Sequence, residues 1–313
     1  MLTYEWGDSF HNDPEVCDLL KAAVTFDAEQ GFSTTAPPVG LSDPPAVVTT
    51  RELVTRMSPE VGSVESHPPG VVVAFLRLAV DETGTGTVEF TVHPDFRSRG
   101  VGTQLVERLG LDIASADGWA GTGAKSLRIW ARGSHPAADR MAMRFEAGEE
   151  RVLFRLIRPL TRRDPVPPAD ETSDIRVEPM SQDGDGVSVA ELARVARAAF
   201  DPATATDVLV ARDRTPGVAG FIEVSKMALD GQVNGWLGAV RTVVVGPSAN
   251  RTTVTRALLG GALRHLSDAG LGEVEMLIDA GGDDLIRHCR AVGFHHDQTD
   301  VCYQFPAPTL DHA

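Results

Sequence analysis

The chain has 313 residues, 42% of them hydrophobic, enough for two buried cores and with no sign of disorder on a large scale. Its formal net charge of −15 argues against a nucleic-acid-binding surface, so an anionic ligand has to be held by local positive charge and backbone amides. No apolar run approaches a membrane span, and three widely spaced cysteines without a secretory signal (Cys17, Cys289, Cys302) fit a reducing cytoplasm better than a disulfide framework.

Asn12, Asp13 and Pro14 supply an N-cap and an early proline, and Val16, Leu19, Leu20 and Val24 follow at helical spacing. Residues 31–45, rich in Ser, Thr and Pro, read as loop, and 51–57 as a short second helix. Residues 70–80 form a strand, 81–86 with its Gly-Thr-Gly a hairpin turn, and 87–93 the return strand.

The stretch that follows carries the most chemical information. After β-branched alternation up to Pro94, apolar residues recur at helical spacing through Val101, Leu105 and Leu109, in a helix expected to end near Asp117 and Gly118. Gly100 and Gly102 lack side chains where the backbone must approach a ligand, so successive N–H groups can face one anion at the positive end of that helix. Arg97 and Arg99 add mobile positive charge. The segment has neither the spacing and Lys-Ser/Thr ending of a nucleoside-triphosphate loop nor the six-residue glycine fingerprint of a dinucleotide fold. A strand at 126–131, a helix at 136–144 and a strand at 151–157 complete this half. The layout is α/β, a mostly antiparallel sheet with helices on its faces.

Prolines 165, 167 and 168 mark a stiff linker, and the second half then repeats the first. It reads as a strand at 175–178, a helix marked by Val187, Leu192, Val195 and Phe200, and strands at 218–226 and 236–245 around the turn Asp230-Gly231. A long helix through Val254, Leu258, Leu259 and Leu266 is closed by Gly270. A strand at 273–278, a helix at 283–291 capped by Gly293 and a strand at 301–305 end the chain. The domain expectation is 1–160, a Pro-rich linker over 161–172, and 173–313. At the loop position the second half has Thr253 and Thr255 in place of glycines, and their branched Cβ atoms oppose close backbone approach.

The run Val92-His93-Pro94 followed by Arg97-Ser98-Arg99-Gly100-Val101-Gly102 resembles the acetyl-CoA pyrophosphate loop of the GNAT family of N-acetyltransferases, Arg/Gln-x-x-Gly-x-Gly/Ala after a strand ending in Val-x-Pro. The resemblance implies two tandem acyl-CoA N-acyltransferase domains, the first with an intact loop and the second with a degenerate one. It implies acetyl-CoA as cosubstrate and a small-molecule amine acceptor; for the one tandem member the chain resembles in particular this is the cysteinyl amine of a glucosaminyl-inositol conjugate. Phe90, Thr91, Val92, Arg97, Ser98, Arg99, Gly100, Val101, Gly102 and Thr103 are then the cosubstrate-binding residues. The whole-chain resemblance also rests on Trp130-Ala131-Arg132-Gly133, Arg158-Pro159-Leu160, Arg197-Ala198-Ala199-Phe200, Gly220-Phe221, Val243-Val244-Val245 with Pro247, and Gly293-Phe294.

Direct transfer needs a deprotonated amine, a polarised thioester carbonyl and a proton for the thiolate. Glu89 is the expected base, through water, with backbone amides near Val92 on the carbonyl; a solvated strand residue is the alternative reading. In tandem members the second domain supplies a strand glutamate and a late tyrosine, and here those positions hold Ala239 and Cys289, while Lys226 stands near a substrate-contacting lysine. No tyrosine lies near the end of the first half, the chain's two being Tyr4 and Tyr303, so bulk water is left as the proton source. His288, Cys289, His295, His296 and Asp297 have no recurring ligand spacing for a metal. No nucleic-acid or membrane partner is expected, and a monomer or weak dimer is. The reading from another class is a degenerate acyl-CoA-binding sensor that transfers nothing.

Overall fold

The computed structural model describes residues 1–32, 47–58, 70–161, 166, 174–181, 185–196, 198, 200, 207–213, 217–228, 236–247 and 250–306. The described residues within 1–35, 44–152 and 299–313 make one compact unit, unit 1, and those within 153–298 a second, unit 2. Of the linker over 161–172 only Thr161 and Val166 are described, and the turn Asp230-Gly231 and nearly all of the loop at 31–45 lie outside the described residues.

In unit 1 the strands β1 (Leu2–Gly7), β2 (Val47–Met57), β3 (Val71–Asp81) and β4 (Thr85–Val92) pair antiparallel in that order. β4 pairs parallel with β5 (Ser126–Ala131). β5 then pairs antiparallel with residues 301–305, which belong to the last strand of the chain. Helix α1 (Pro14–Glu29) starts where Asp13 accepts the N–H of Glu15 at 2.8 Å. Its Val16 and Leu19 bury against Val54 and Phe75. Helix α2 (Val101–Leu109) buries Leu105 against Leu76, Leu78, Val88 and Leu127. Because Phe75 and Leu76 are neighbours on one strand and point to opposite faces, the two helices cover opposite sides of the sheet. Helix α3 (Pro136–Arg144) follows β5.

Unit 2 has the same plan. β6 (Gly148–Pro159) enters it from Leu153 onward, β7 (Arg176–Pro179) precedes helix α4 (Asp185–Ala196), and β8 (Asp207–Arg212), β9 (Gly220–Ala228) and β10 (Trp236–Val245) follow. Then come α5 (Arg251–Asp268), β11 (Glu273–Asp279), α6 (Asp283–Ala291) and β12 (His295–Phe305). β7, β8, β9 and β10 pair antiparallel in that order, β10 with β11 parallel, and β11 with β6 antiparallel. Helix α5 buries Leu258, Leu259, Ala262, Leu263 and Leu266 against Ile222, Val224, Val240 and Met276.

Several elements differ from the sequence expectation. Residues 51–57 are not a helix but the second half of β2: a strand flanked on both sides buries both of its faces, so Leu53 and Val54 are adjacent apolar residues and imitate a helical pattern. Helix α2 stops at Leu109, not near Asp117, because Gly110 takes φ 71°. Helix α4 buries Val189 and Ala193, while the expected Val187 and Val195 are exposed and Phe200, beyond its end, packs on Phe221 at 4.8 Å. β1 and β8 have no counterpart in the sequence reading.

Candidate functional site

The loop between β4 and α2 has the geometry an anion cradle needs. Ser98 at φ 60° and Gly100 at φ 80° turn the backbone left-handed just before the helix. The first intrahelical bond is from Gln104 N–H to Gly100 O at 2.9 Å. The N–H groups of Ser98, Arg99, Gly100, Val101, Gly102 and Thr103 therefore donate to no acceptor among the described residues, and no side chain caps the helix. Six consecutive unspent donors at the positive end of a helix fit a pyrophosphate. At Gly102 a Cβ would stand 3.0 Å from the Phe90 ring, so close packing of α2 on β4 requires glycine there.

Arg97 does not supply the mobile charge expected of it. Its Nε donates to the Val92 carbonyl at 3.1 Å, Nη2 donates to Asp27 Oδ2 at 3.1 Å, and Nη1 donates to the other oxygen of the same carboxylate. The guanidinium also lies 5.3 Å from the Phe26 ring centroid. It is a brace tying the loop to the last turn of α1 and to the end of β4. Arg99 is exposed and stacks over Phe96 at 5.4 Å, which leaves it as the loop's solvent-facing cation. Phe90 is half-buried in the core beneath α2.

The β4–β5 ladder runs from Thr85–Ser126 to Val88–Ile129 and has no register pair beyond it. Glu89 is the first β4 residue past that point. Its carboxylate is 70% exposed and stands 3.9 Å from Arg77 Nη1. Thr91 follows on the same face. Arg77 also approaches Glu52 at 3.9 Å, and Glu52, buried on β2, accepts the backbone N–H of His11 at 2.9 Å and its Nδ1 at 2.7 Å. A line of polar contacts through Glu89, Arg77, Glu52 and His11 thus crosses three strands of unit 1. Sequence reading missed all but Glu89, since only strand register joins these residues; a carboxylate inside a buried stretch of β2 was the available signal.

The last strand brings a second tyrosine into unit 1 beside Tyr4: Tyr303 pairs with Ile129, and its hydroxyl donates to Asp139 on α3. Burial and the Asp139 carboxylate push its pKa up, which holds it as a neutral donor committed to that partner. Asp300, buried just before it, accepts the Gly133 N–H at 2.8 Å and an Arg132 N–H at 3.4 Å. His135, at the start of α3, accepts the Ala137 N–H through Nδ1 at 3.1 Å; burial and the nearby Arg97 lower its pKa, so it stays neutral.

In unit 2 the equivalent helix start has a side-chain cap that the first lacks. Asn250 caps α5, its Oδ1 accepting the Thr253 N–H at 3.2 Å. Thr255 is buried in the helix face. Ala239 is buried in β10 between Ser225 and Glu275. Cys289 is fully buried with Sγ 3.7 Å from Met276 Sδ, and desolvation raises its thiol to about 12, so it packs rather than titrates. Lys226 is exposed and pairs with Gly238. Among the described residues no group of three or more His, Cys, Asp or Glu is arranged to hold a metal ion, and no helix is long and apolar enough to cross a membrane.

No family model matches the chain. It is 31% identical to a mycothiol acetyltransferase of Parafrankia sp., over 93% of this chain and 94% of that one. It is also 31% identical to a mycothiol acetyltransferase of Thermobispora bispora, over 69% of this chain and 75% of that one. Among solved structures it is similar to a tandem GNAT protein from the clavulanic acid biosynthesis pathway, at TM-score 0.61 and 22% identity over 97% and 98% of the two chains. A GCN5-related N-acetyltransferase from Sphaerobacter thermophilus gives TM-score 0.60 and 16% identity over 97% and 95%.

Proposed function

The chain belongs to the GNAT family of acetyltransferases, related to the mycothiol acetyltransferases, and on that premise we propose that it transfers the acetyl group of acetyl-CoA to the primary amine of a small polar acceptor from a site in unit 1. The family's cosubstrate is an acyl-CoA, and the observation that carries the placement is the run of six unspent N–H groups at Ser98 to Thr103. In unit 2 the corresponding helix start is capped by Asn250 and carries threonines.

In this reading the loop amides hold the pyrophosphate and Arg99 adds charge at its rim. Arg97 keeps the loop in its bound shape. The acyl arm lies along Phe90, Thr91 and Val92, where the β4 backbone edge is no longer paired with β5. An N–H on that edge polarises the thioester carbonyl. Glu89 takes one proton from the ammonium group through water before the neutral amine attacks; the C–N bond forms, the C–S bond breaks, and the second proton leaving the nitrogen passes through water to the departing thiolate. The acceptor is the cysteinyl amine of a glucosaminyl-inositol conjugate, as the family resemblance implies, and Lys226 belongs to the acceptor-binding set only if unit 2 takes part.

The test is incubation of the protein with acetyl-CoA and that conjugate, with the N-acetylated product followed by mass. Product formation that is lost in Gly100→Val/Gly102→Val supports the reading. Absence of product despite tight acetyl-CoA binding removes this acceptor, and a double variant that still turns over moves the site away from unit 1.

A further inference from the structure

One row across the sheet of unit 1 is charged where the next row on the same face is apolar. Register places Gly7, Glu52, Arg77 and Glu89 side by side on β1, β2, β3 and β4. Two residues along, Val54 pairs with Phe75, and both are buried against α1. A carboxylate taken out of water is costly unless it is paired and hydrogen-bonded, and the side chain of Glu52 is only 1% exposed.

His11 and Arg77 meet that cost between them. The backbone N–H of His11 donates to Glu52 Oε2 at 2.9 Å, and its Nδ1 lies 2.7 Å from Oε1. Gly7 lets this turn pack down, since a Cβ there would stand 2.6 Å from the ring of Phe10. Arg77 answers the charge, with Nε 3.9 Å from Oε1. The same guanidinium presents Nη1 to Glu89 Oε2, again at 3.9 Å. Glu89 makes no hydrogen bond and no other ion pair among the described residues, and Arg132 on β5's far end is committed to Asp300 at 3.4 Å.

An isolated exposed pair of this length holds little, because ordering two long side chains costs as much as the attraction returns. Arg77 differs from an ordinary surface arginine in that its Nε end already faces a buried anion. Its ordering is therefore largely complete before it meets Glu89. We propose, on the reading that Glu89 is the base, that Arg77 anchored by Glu52 is a positioning residue for it. Arg77 touches neither substrate nor cosubstrate; it limits the swing of the exposed Glu89 carboxylate and so acts through that carboxylate alone. A Glu52 that merely stapled the His11 turn to β2 would change stability and leave the rate constant of turnover untouched.

Steady-state kinetics of the full chain with acetyl-CoA and the cysteinyl conjugate tests this, with Arg77→Met made both in the wild type and in Glu89→Gln. In the wild type Arg77→Met should lower kcat about five- to tenfold and leave the acetyl-CoA KM within about twofold. In Glu89→Gln the same substitution should change kcat by less than about twofold, because the group it acts through is gone. Glu52→Gln should lower kcat about threefold, and likewise only where Glu89 is present. If Glu52→Gln fails to fold, Arg77→Met carries the test alone, since the Arg77 side chain is 47% exposed and its loss is tolerable. Equal losses with and without Glu89, a loss confined to the acetyl-CoA KM, or an undiminished kcat in Arg77→Met would overturn the proposal. A wild type that makes no product, or a Glu89→Gln variant as fast as the wild type, instead removes the base assignment, and the positioning role falls with it.

Discussion

Arg97 is held in the loop by the Val92 carbonyl and the Asp27 carboxylate. Arg97 and Gly100 stand in one short segment, so their pattern is local and legible, but the partner that fixes Arg97 is Asp27, seventy residues away. Three strands separate them in the chain, and nothing local announces the contact. If Arg97 is a brace, Asp27→Asn should weaken acetyl-CoA binding about five- to tenfold by loosening the loop while leaving kcat within about twofold; a titration of the variant checks this, and an unchanged Kd would restore the picture of a free phosphate-binding side chain. Glu89 is exposed and stands beside Arg77, and its proposed role as base is a matter for substitution. Glu89→Gln should lower kcat by roughly 10²-fold, within the usual range for a general base, with acetyl-CoA affinity intact. Steady-state rates with the acetyl-CoA Kd measured in parallel separate the two effects.

At the level of elements, long periodic segments were readable and pairing was not. α1, α5 and α6 carry caps and apolar stripes in their own sequence, so their extents follow from local rules. β2 was misread because a strand between two others is apolar on both faces, and β1 was missed because its six residues alternate only weakly in burial. The placement of β12 was beyond local signals altogether: its last five residues pair with β5, so Tyr303 belongs to unit 1 although it lies near the other end of the chain. Asp300 is the hinge of that attachment through Gly133 and Arg132. Asp300→Ala leaves the partly buried Arg132 guanidinium and Gly133 amide without their acceptor, and should cost about 1–2 kcal/mol of stability. Chemical denaturation of the variant reads this directly, and a loss below about 0.5 kcal/mol would mean that solvent replaces the carboxylate.

For the whole molecule, the two buried thiols tie stability to alkaline pH. Burial raises both Cys289 and Cys302 to about 12, with Glu150 adding to the effect at Cys302. A thiol whose folded pKa lies above its unfolded value stabilises the fold below the unfolded pKa, near 9, and loses that contribution as the pH climbs toward 12. Stability should therefore decline above pH 9 by up to about 1.4 kcal/mol per thiol per pH unit. Cys289→Ala and Cys302→Ala should each flatten that decline, a comparison that melting curves between pH 8 and 10 can make. A slope identical in wild type and both variants would show that other groups dominate. The strongly acidic composition adds a second whole-molecule constraint, because a chain of net charge −15 repels a polyanionic cosubstrate everywhere except at a local cradle.

That cradle is the central claim, and calorimetric titration of wild type and of Gly100→Val/Gly102→Val with acetyl-CoA tests it most directly. In the variant a left-handed backbone position and a close contact with Phe90 are both violated. One site per chain in the wild type, absent from a variant that still melts cooperatively, is the predicted result. Either no binding by the wild type or equal binding by the variant would contradict the assignment of the loop.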